Sequence, residues 1–386
     1  MKVRVPSYFN DFKCIAQNCE DTCCAGWGIV IDDETNNRYK NVDNKFGEVL
    51  RSKIKKDEDG DNVFLLNNGN CSFLNENKLC DIYSNLGEEY LCHTCKQYPR
   101  YTEEFLDLRE VGISLSCPEA ARIILKSEEN FSFKLSENIE EYDLESDIDE
   151  EILLNFLNCR EFIFSILERE NLSLHIKIAI ILKFVKRVQD KIDLGDMNEI
   201  VDVIEEYKND KFLDKIIESL SSYKEKNNDK YNNIIFEYFK VYKDINHINE
   251  NDPLGLDKAL KYFKENKGLL IYKHKEFNDY YKENLYKFKN ILVYFIFRYF
   301  MKAIFDYDMS AKIKLAIVST LMIKELAIVR WLEKGEFTEE DLVDIAHTYS
   351  KDIEHSDENI ETLQEIFETK EIFKVNEILH MVANIF

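Results

Sequence analysis

The sequence predicts a mainly α protein in two parts, a loop-rich, cysteine-dense N-terminal domain followed by an all-α helical domain. Three observations carry that prediction. Of ten cysteines, all but Cys159 fall within the first 117 residues. Beyond residue 151, apolar residues recur three and four apart with a single proline, Pro253, among them. Between the two lies an acidic, poorly periodic stretch, residues 127–151.

Residues 1–126 hold most of the turn-forming Gly and Asn, the clustered cysteines and short apolar runs such as Gly28-Ile29-Val30-Ile31. That texture reads as a domain organised by bound ligands rather than by long regular elements. Residues 127–151 carry Glu137, Glu140, Glu141, Asp143, Glu145, Asp147, Asp149, Glu150 and Glu151 among few apolar side chains. They read as a solvated connection, the functional alternative being a docking strip for a lysine-rich partner. Helical periodicity then predicts helices over 152–168, 175–191, 198–208, 232–243, 256–266, 277–305 and 310–334. Thr338 with Asp341 three residues on is a helix-start signal, and Ser356 opens a further helix over 357–369. No repeat of fixed period interrupts this order.

With 386 residues and 45% hydrophobic content, the chain has ample material for a core. A net charge of −23 excludes sequence-independent binding to nucleic acid or to an anionic membrane face, both of which need a basic surface. A basic protein surface is the compatible partner. The most apolar stretch, residues 288–305, is interrupted by Lys289, Arg298 and Lys302, so it reads as a buried helix and not as a membrane span. The opening MKVRVPSYFN has no apolar signal-peptide core, and a reducing cytoplasm is the expected compartment.

In that compartment neighbouring thiols are more often metal ligands or redox centres than disulfides or inert buried side chains. The first cluster reads Cys14-x4-Cys19-x3-Cys23-Cys24 and the second Cys71-x8-Cys80-x11-Cys92-x2-Cys95, with Cys117 beyond them before Pro118. Short spacings let two sulfurs face one ion. Adjacent Cys23 and Cys24 diverge, so one serves a given centre while the other serves a second centre or the interior. Iron–sulfur clusters and structural zinc commonly take four thiolates, so nine cysteines allow two sites plus a spare, or one site with structural companions. His93 reads as a solvent-facing neighbour of the second cluster, with replacement of a thiolate as the alternative. The other six histidines form no His-x3-His pair.

The strings FKCIAQNCEDTCCAGWGIVID, CSFL, LCDIY, LGEEYLCHTCKQYPRY and SLSCPEAAR, together with KLAIVSTLMIKELAIVRWLEKGEF and AHTYSKDIEHSDEN, resemble the flagellin lysine N-methylase family. The cysteine module alone is also similar to small proteins described as zinc- or iron-chelating domains. The closer resemblance implies methylation of lysine ε-amines on flagellin, S-adenosylmethionine as methyl donor and an iron–sulfur cluster, of the 4Fe–4S type, held by Cys14, Cys19, Cys23, Cys24, Cys71, Cys80, Cys92, Cys95 and Cys117; zinc is the alternative metal. The residues themselves favour the cluster over the donor site. Gly26-Trp27-Gly28 is the only Gly-x-Gly, and no Cys-x3-Cys-x2-Cys run is present.

Transfer to lysine requires a neutral amine, for which Tyr98, Glu110 or residues near His355 are candidate proton acceptors. Arg100 is a candidate for the donor carboxylate or an ordinary surface arginine, and Trp27 a candidate platform for the donor or a cover for the cluster. Arg330, Trp331 and His347 read as helix packing or pairing. Two further functions stay open at this point: a zinc- or iron-binding interaction protein, and an electron-transfer protein.

Overall fold

The computed structural model describes residues 1–15, 18–25, 28–57, 59–126, 131–138, 148–223, 229–247, 252, 254–266 and 270–386. The N-terminal part runs through β1 (Lys2–Pro6), α1 (Asp33–Lys40), α2 (Lys45–Ser52), the hairpin β2 (Ile54–Lys56) and β3 (Asn62–Phe64), and a second hairpin of β4 (Leu66–Asn67) and β5 (Asn70–Cys71). It continues through α3 (Asp81–Leu86), α4 (His93–Gln97), β6 (Arg100–Phe105), β7 (Leu108–Ile113), α5 (Pro118–Lys126) and β8 (Phe133–Glu137). Asp32 and Asn44 cap α1 and α2 by accepting from Thr35 and Gly47 N–H groups. Asn68 and Gly69, both with positive φ, close the second hairpin as an Asn-Gly turn.

A four-stranded sheet of order β6-β7-β1-β8 joins distant segments. β1 pairs parallel with β7, with Val3 opposite Arg109, and antiparallel with β8, with Arg4 opposite Leu135. Most of the expected acidic connection, residues 127–130 and 139–147, lies outside the described residues. Within it, β8 is an ordered edge strand in which Phe133 and Leu135 alternate with Lys134 and Ser136.

The helical part follows the predicted periodicity. It contains α6 (Glu150–Glu168), α7 (Leu174–Leu194), α8 (Ile200–Tyr207), α9 (Asp210–Leu220), α10 (Asp229–Lys243), α11 (Leu256–Glu265) and α12 (Leu270–Tyr280). After these come α13 (Tyr286–Tyr299), α14 (Ala303–Asp306), α15 (Met309–Lys334), α16 (Glu339–Glu354), α17 (Asp357–Thr369) and α18 (Val375–Ile385). Thr338 and Asp341 form a full capping box at α16, and Ser356 caps α17. The single helix expected over 277–305 is instead divided into α12, α13 and α14. Phe277 and Tyr281 stack against each other and both turn onto Phe337, so tertiary packing overrides a pattern that contains no helix breaker there.

α15 is the central element, about 39 Å long at 1.5 Å per residue. Every residue from Met309 to Val329 is buried. A helix surrounded on all sides must satisfy its polar groups internally. Lys314 reaches Glu368 at 2.7 Å, Lys324 reaches the Ile385 carbonyl at 2.8 Å, and Glu325 accepts from Tyr231 and pairs with His274. The apolar side chains from Phe288 to Ile304 are buried as expected while Phe305 is exposed, and among the described residues no helix is long and apolar enough to cross a membrane.

Two cores result. The larger runs from Phe12 and the β6-β7-α5 unit through all of the helices to Ile385. A small one, made of Ile29, Ile31, Tyr39, Val42, Leu50, Phe64, Phe73 and Ile82, lies inside the lobe formed by residues 28–95. The large core and the lobe meet where the first cysteine cluster passes over α5 and α16.

Candidate functional site

The cysteines do not gather by sequence order. In the lobe, Cys71 and Cys92 belong to the small core, and Cys24, Cys80 and Cys95 pack against it. Local structure puts them there. Cys71 ends the Asn-Gly hairpin and donates its N–H to the Cys24 carbonyl at 2.6 Å, while Ala25 bridges to Asn70. Cys80 is the N-cap of α3 and bridges Leu74. Cys92 is the N-cap of α4, so the Cys-x2-Cys spacing places Cys95 in the first turn with the two sulfurs adjacent. The Cys95 S–H, hydrogen-bonded to Cys92, holds the Cys92 thiol below its ordinary pKa and pushes Cys95 up.

The other four thiols lie outside that small core. Cys117 is buried in the large core at the start of α5, and Cys14, Cys19 and Cys23 lie in the loop above it. Three contacts hold that loop down. Lys351 of α16 meets Asp21 at 2.6 Å and the Thr22 carbonyl at 3.0 Å, and Arg122 of α5 binds Glu20. The thiols of Cys23 and Cys24 hydrogen-bond each other, so these adjacent side chains do not diverge as expected; that bond and burial push Cys23 up, with Cys14 and Cys117 adding to it. Burial pushes Cys117 and Cys71 up to about 12, with Cys19 and Cys14 adding to the first and Cys24, Cys80 and Cys92 to the second. No disulfide joins any of the ten cysteines, and Cys159 is buried alone in α6. Among the described residues no three His, Cys, Asp or Glu side chains already stand where they could share one ion, so these are neighbouring thiols and not closed coordination spheres. Sulfur is nevertheless the donor type a thiophilic metal takes, and no disulfide competes for it.

Beside Cys117 and Cys23 lies a continuous polar network that begins at Tyr98. His355 Nε2 pairs with Ser116 Oγ at 3.0 Å, and the Tyr98 hydroxyl reaches the same oxygen at 3.2 Å. The two rings meet edge to face, 6.1 Å apart. Ser116 pairs with Ser114 at 2.8 Å, and Ser114 lies 3.5 Å from the Tyr294 hydroxyl. Tyr294 and Tyr299 donate to Glu354 at 2.9 and 2.8 Å, Ser350 donates to it as well, and Arg298 Nε lies 2.9 Å from it. Arg298 also lies 4.4 Å above the Tyr101 ring. Burial, with Lys351 and Arg298 adding to it, pushes His355 down to about 4, so its imidazole is neutral near pH 7. Burial together with the nearby Cys117 pushes the Tyr98 phenol up.

The structure therefore brings Tyr98 and His355 together beside Cys117 and leaves the other candidates elsewhere. Glu110 is held by a buried two-pronged pair with Arg160, so it is not available to a substrate amine. Arg100 lies over the Phe9 and Phe12 rings. His93 is exposed, its backbone N–H donating to Asp32. Arg330 pairs with Asp344, Trp331 packs on Phe277 and Tyr280, and His347 faces Asp344 and Asp21. Trp27 lies outside the described residues. Sequence reading missed Arg298 and Glu354 as site residues, although Arg298 carried a signal: a guanidinium in the middle of an apolar helical run needs a buried partner. Two cavities in the helical part, of about 590 and 480 Å³, touch none of these thiols; Asp193, Asp306 and Asp308 line the first, and Lys177, Lys289 and Lys324 the second.

Comparison with known proteins adds a family context. The family model for the FliB lysine N-methylase C-terminal domain matches residues 160–381. A CxxCxxCC model, described as a candidate zinc- or iron-chelating domain, matches residues 13–112. The Lysine-N-methylase proteins of Salmonella choleraesuis (strain SC-B67) and Salmonella typhimurium (strain LT2) are each 28% identical over 211 residues, 51% of this chain and 51% of theirs. The chain thus spans about half the length of these curated relatives. The Flagellar biosynthetic protein FliU of Salmonella muenchen is 32% identical over 129 residues, 32% of this chain and 76% of its own. No solved structure matches.

Proposed function

The chain belongs to the FliB lysine N-methylase family, and from that premise we propose that it is a protein-lysine N-methyltransferase acting in the cytoplasm on the lysine ε-amines of a flagellin, with S-adenosylmethionine as donor and an iron–sulfur centre held by its cysteines. The observation that supports the reading is the position of Cys117 and Cys23 near Tyr98, whose hydroxyl shares Ser116 with His355 on the matched helical domain. When bound, S-adenosylmethionine would supply a methyl group on a sulfonium, and a metal held by the cysteines would supply an electron-poor site.

The chain's own residues have two tasks. A lysine ammonium has no lone pair to attack a methyl group, so it must lose a proton first. His355, kept neutral by burial, offers an imidazole lone pair at the junction, and Ser116 and Tyr98 fix the plane of its ring. The Glu354–Arg298 pair anchors the far end of the same network in the helical core, so the ring is held by hydrogen bonds and not by packing alone. The second task is attraction. An acidic chain with carboxylates such as Glu20, Asp21 and Glu340 around the junction draws a lysine-bearing surface towards it.

The test is to combine anaerobically purified protein, S-adenosylmethionine and a flagellin, then read lysine residues by mass spectrometry. Mass increments of one methylene on lysines support the assignment. A metal-loaded protein that yields none refutes it. A second, purely structural role for the lobe thiols is favoured by their packing on the small core, and it is compatible with catalysis at the junction.

A further inference from the structure

We infer that the cavity of about 480 Å³ between α6, α7, α13 and α15 binds a small amphiphilic anion, a carboxylate or phosphate head on an apolar body. The site shares no residue with the cysteines or with the Tyr98 and His355 group, so it stands apart from methyl transfer.

Lysines from three helices line this cavity. Lys177 of α7 and Lys324 of α15 are only 7% and 0% exposed, and Lys289 of α13 is half-buried. Lys177 donates to the Leu167 carbonyl at 2.8 Å and Lys324 to the Ile385 carbonyl at 2.8 Å, so each is held by the last turn of a helix and not by a carboxylate. Each of these bonds uses one of the three donors of an ammonium. Among the described residues none of the three lysines lies within ion-pair distance of a carboxylate. A buried cation without a counter-charge is costly, and burial accordingly lowers the pKa of all three, with Lys289 adding to the effect on Lys177. A bound anion supplies the missing charge.

The same cavity opens onto the first turn of α7, a helix of 21 residues, where Ser173, Leu174 and His175 line it. Ser173 occupies the N-cap position, yet its hydroxyl makes no capping bond and pairs with His175 at 3.0 Å. The positive end of the helix and the buried Lys177 therefore act on one space, a setting that favours an anionic head. Leu174, Leu285 and the rings of Tyr286 and Phe386 supply an apolar wall for the body of the ligand. Two carboxylate side chains, Glu168 and Glu170, also line the cavity, both exposed, and both act on Lys289. S-adenosylmethionine, which carries a sulfonium and an ammonium beside its carboxylate, is a poor occupant opposite three lysines.

The experiment is calorimetric titration of the full chain with octanoate, octyl phosphate, neutral octanamide and inorganic phosphate. An octyl anion should bind at least about tenfold more tightly than octanamide or inorganic phosphate, and the tighter of octanoate and octyl phosphate identifies the head. Lys177→Met and Lys289→Met should each weaken that binding about tenfold or more, the second at a partly exposed position where folding is not at stake. Glu170→Gln removes a like charge near Lys177 and Lys289 and should tighten binding about twofold to fivefold, a gain that damage to the fold does not produce. The site is overturned if neither octyl anion binds at millimolar concentration, or if octanamide or inorganic phosphate binds as tightly as the octyl anions. Unchanged binding in Lys289→Met, or weaker binding in Glu170→Gln, overturns the assignment of the head to the lysines.

Discussion

Replacing Glu110 by Gln should cost about 3–5 kcal/mol of folding stability, the usual penalty for removing one partner of a buried ion pair. Glu110 lies on β7 at 2% side-chain exposure, and Arg160 on α6 is fully enclosed. Arg160 makes two charge-assisted bonds to that carboxylate, one of 2.7 Å and one shorter, while its guanidinium lies 5.9 and 5.6 Å from the Phe164 and Phe297 ring centres. No water reaches the guanidinium to replace the lost charge. Two such bonds at about 1.5–3 kcal/mol each give the same range independently. Against a total stability of about 5–15 kcal/mol, the loss is a large fraction. Urea denaturation of the wild type, Glu110→Gln, Arg160→Met and the double variant measures it. The double variant should be much less damaged than the sum of the singles, because the enclosed Arg160 charge is then gone with its partner, while Arg4, which also touches Glu110, keeps Glu161. Additive single effects below about 1 kcal/mol would show that the sheet is not tied to the helices through this pair.

Other consequences follow from particular atoms. Gly47→Ala should destabilise the lobe by about 1–3 kcal/mol instead of stabilising α2, because the added Cβ would lie 2.0 Å from the Val42 carbonyl oxygen; thermal melting that shows a gain would refute this. Lys324 is fully buried and its pKa is depressed by burial, so above the folded-state pKa and below the free-lysine value the unfolded chain holds more protons. Wild-type stability should therefore rise with pH relative to Lys324→Met across the alkaline range, and parallel denaturation curves would contradict the depressed pKa. His355→Gln should lower methyl transfer by about 100-fold or more while metal content and melting temperature stay near wild type, as loss of a proton acceptor predicts. Unchanged transfer would exclude His355 from that role.

The helices beyond residue 151 were legible because their apolar spacing is long and regular, and Thr338 with Asp341 marked α16 to the residue. The thiols stood out by type and spacing, but how they group in space did not follow from their order in the chain. The sheet was not, although Phe131, Phe133 and Leu135 alternate cleanly with Ser132, Lys134 and Ser136. Acidic neighbours masked that short period, and the parallel β1–β7 pairing spans about a hundred residues that no local pattern encodes. The approach of Cys117 to Cys14, Cys19 and Cys23 was hidden for the same reason, and the expected divergence of Cys23 and Cys24 fails because their thiols hydrogen-bond each other. Arg298 and Glu354 meet across two helices, and only the oddity of a charge within an apolar run announced one of them.

The central claim is methyl transfer by a chain whose Cys117 and Cys23 thiols lie near Tyr98. Its most direct test is transfer of labelled methyl groups from S-adenosylmethionine to flagellin lysines by the anaerobically purified wild type and by Cys117→Ser. Label on lysine ε-amines with the wild type, and its loss with Cys117→Ser, is the predicted result. Metal-replete wild type that transfers none, or a Cys117→Ser variant that transfers as well as wild type, would contradict it.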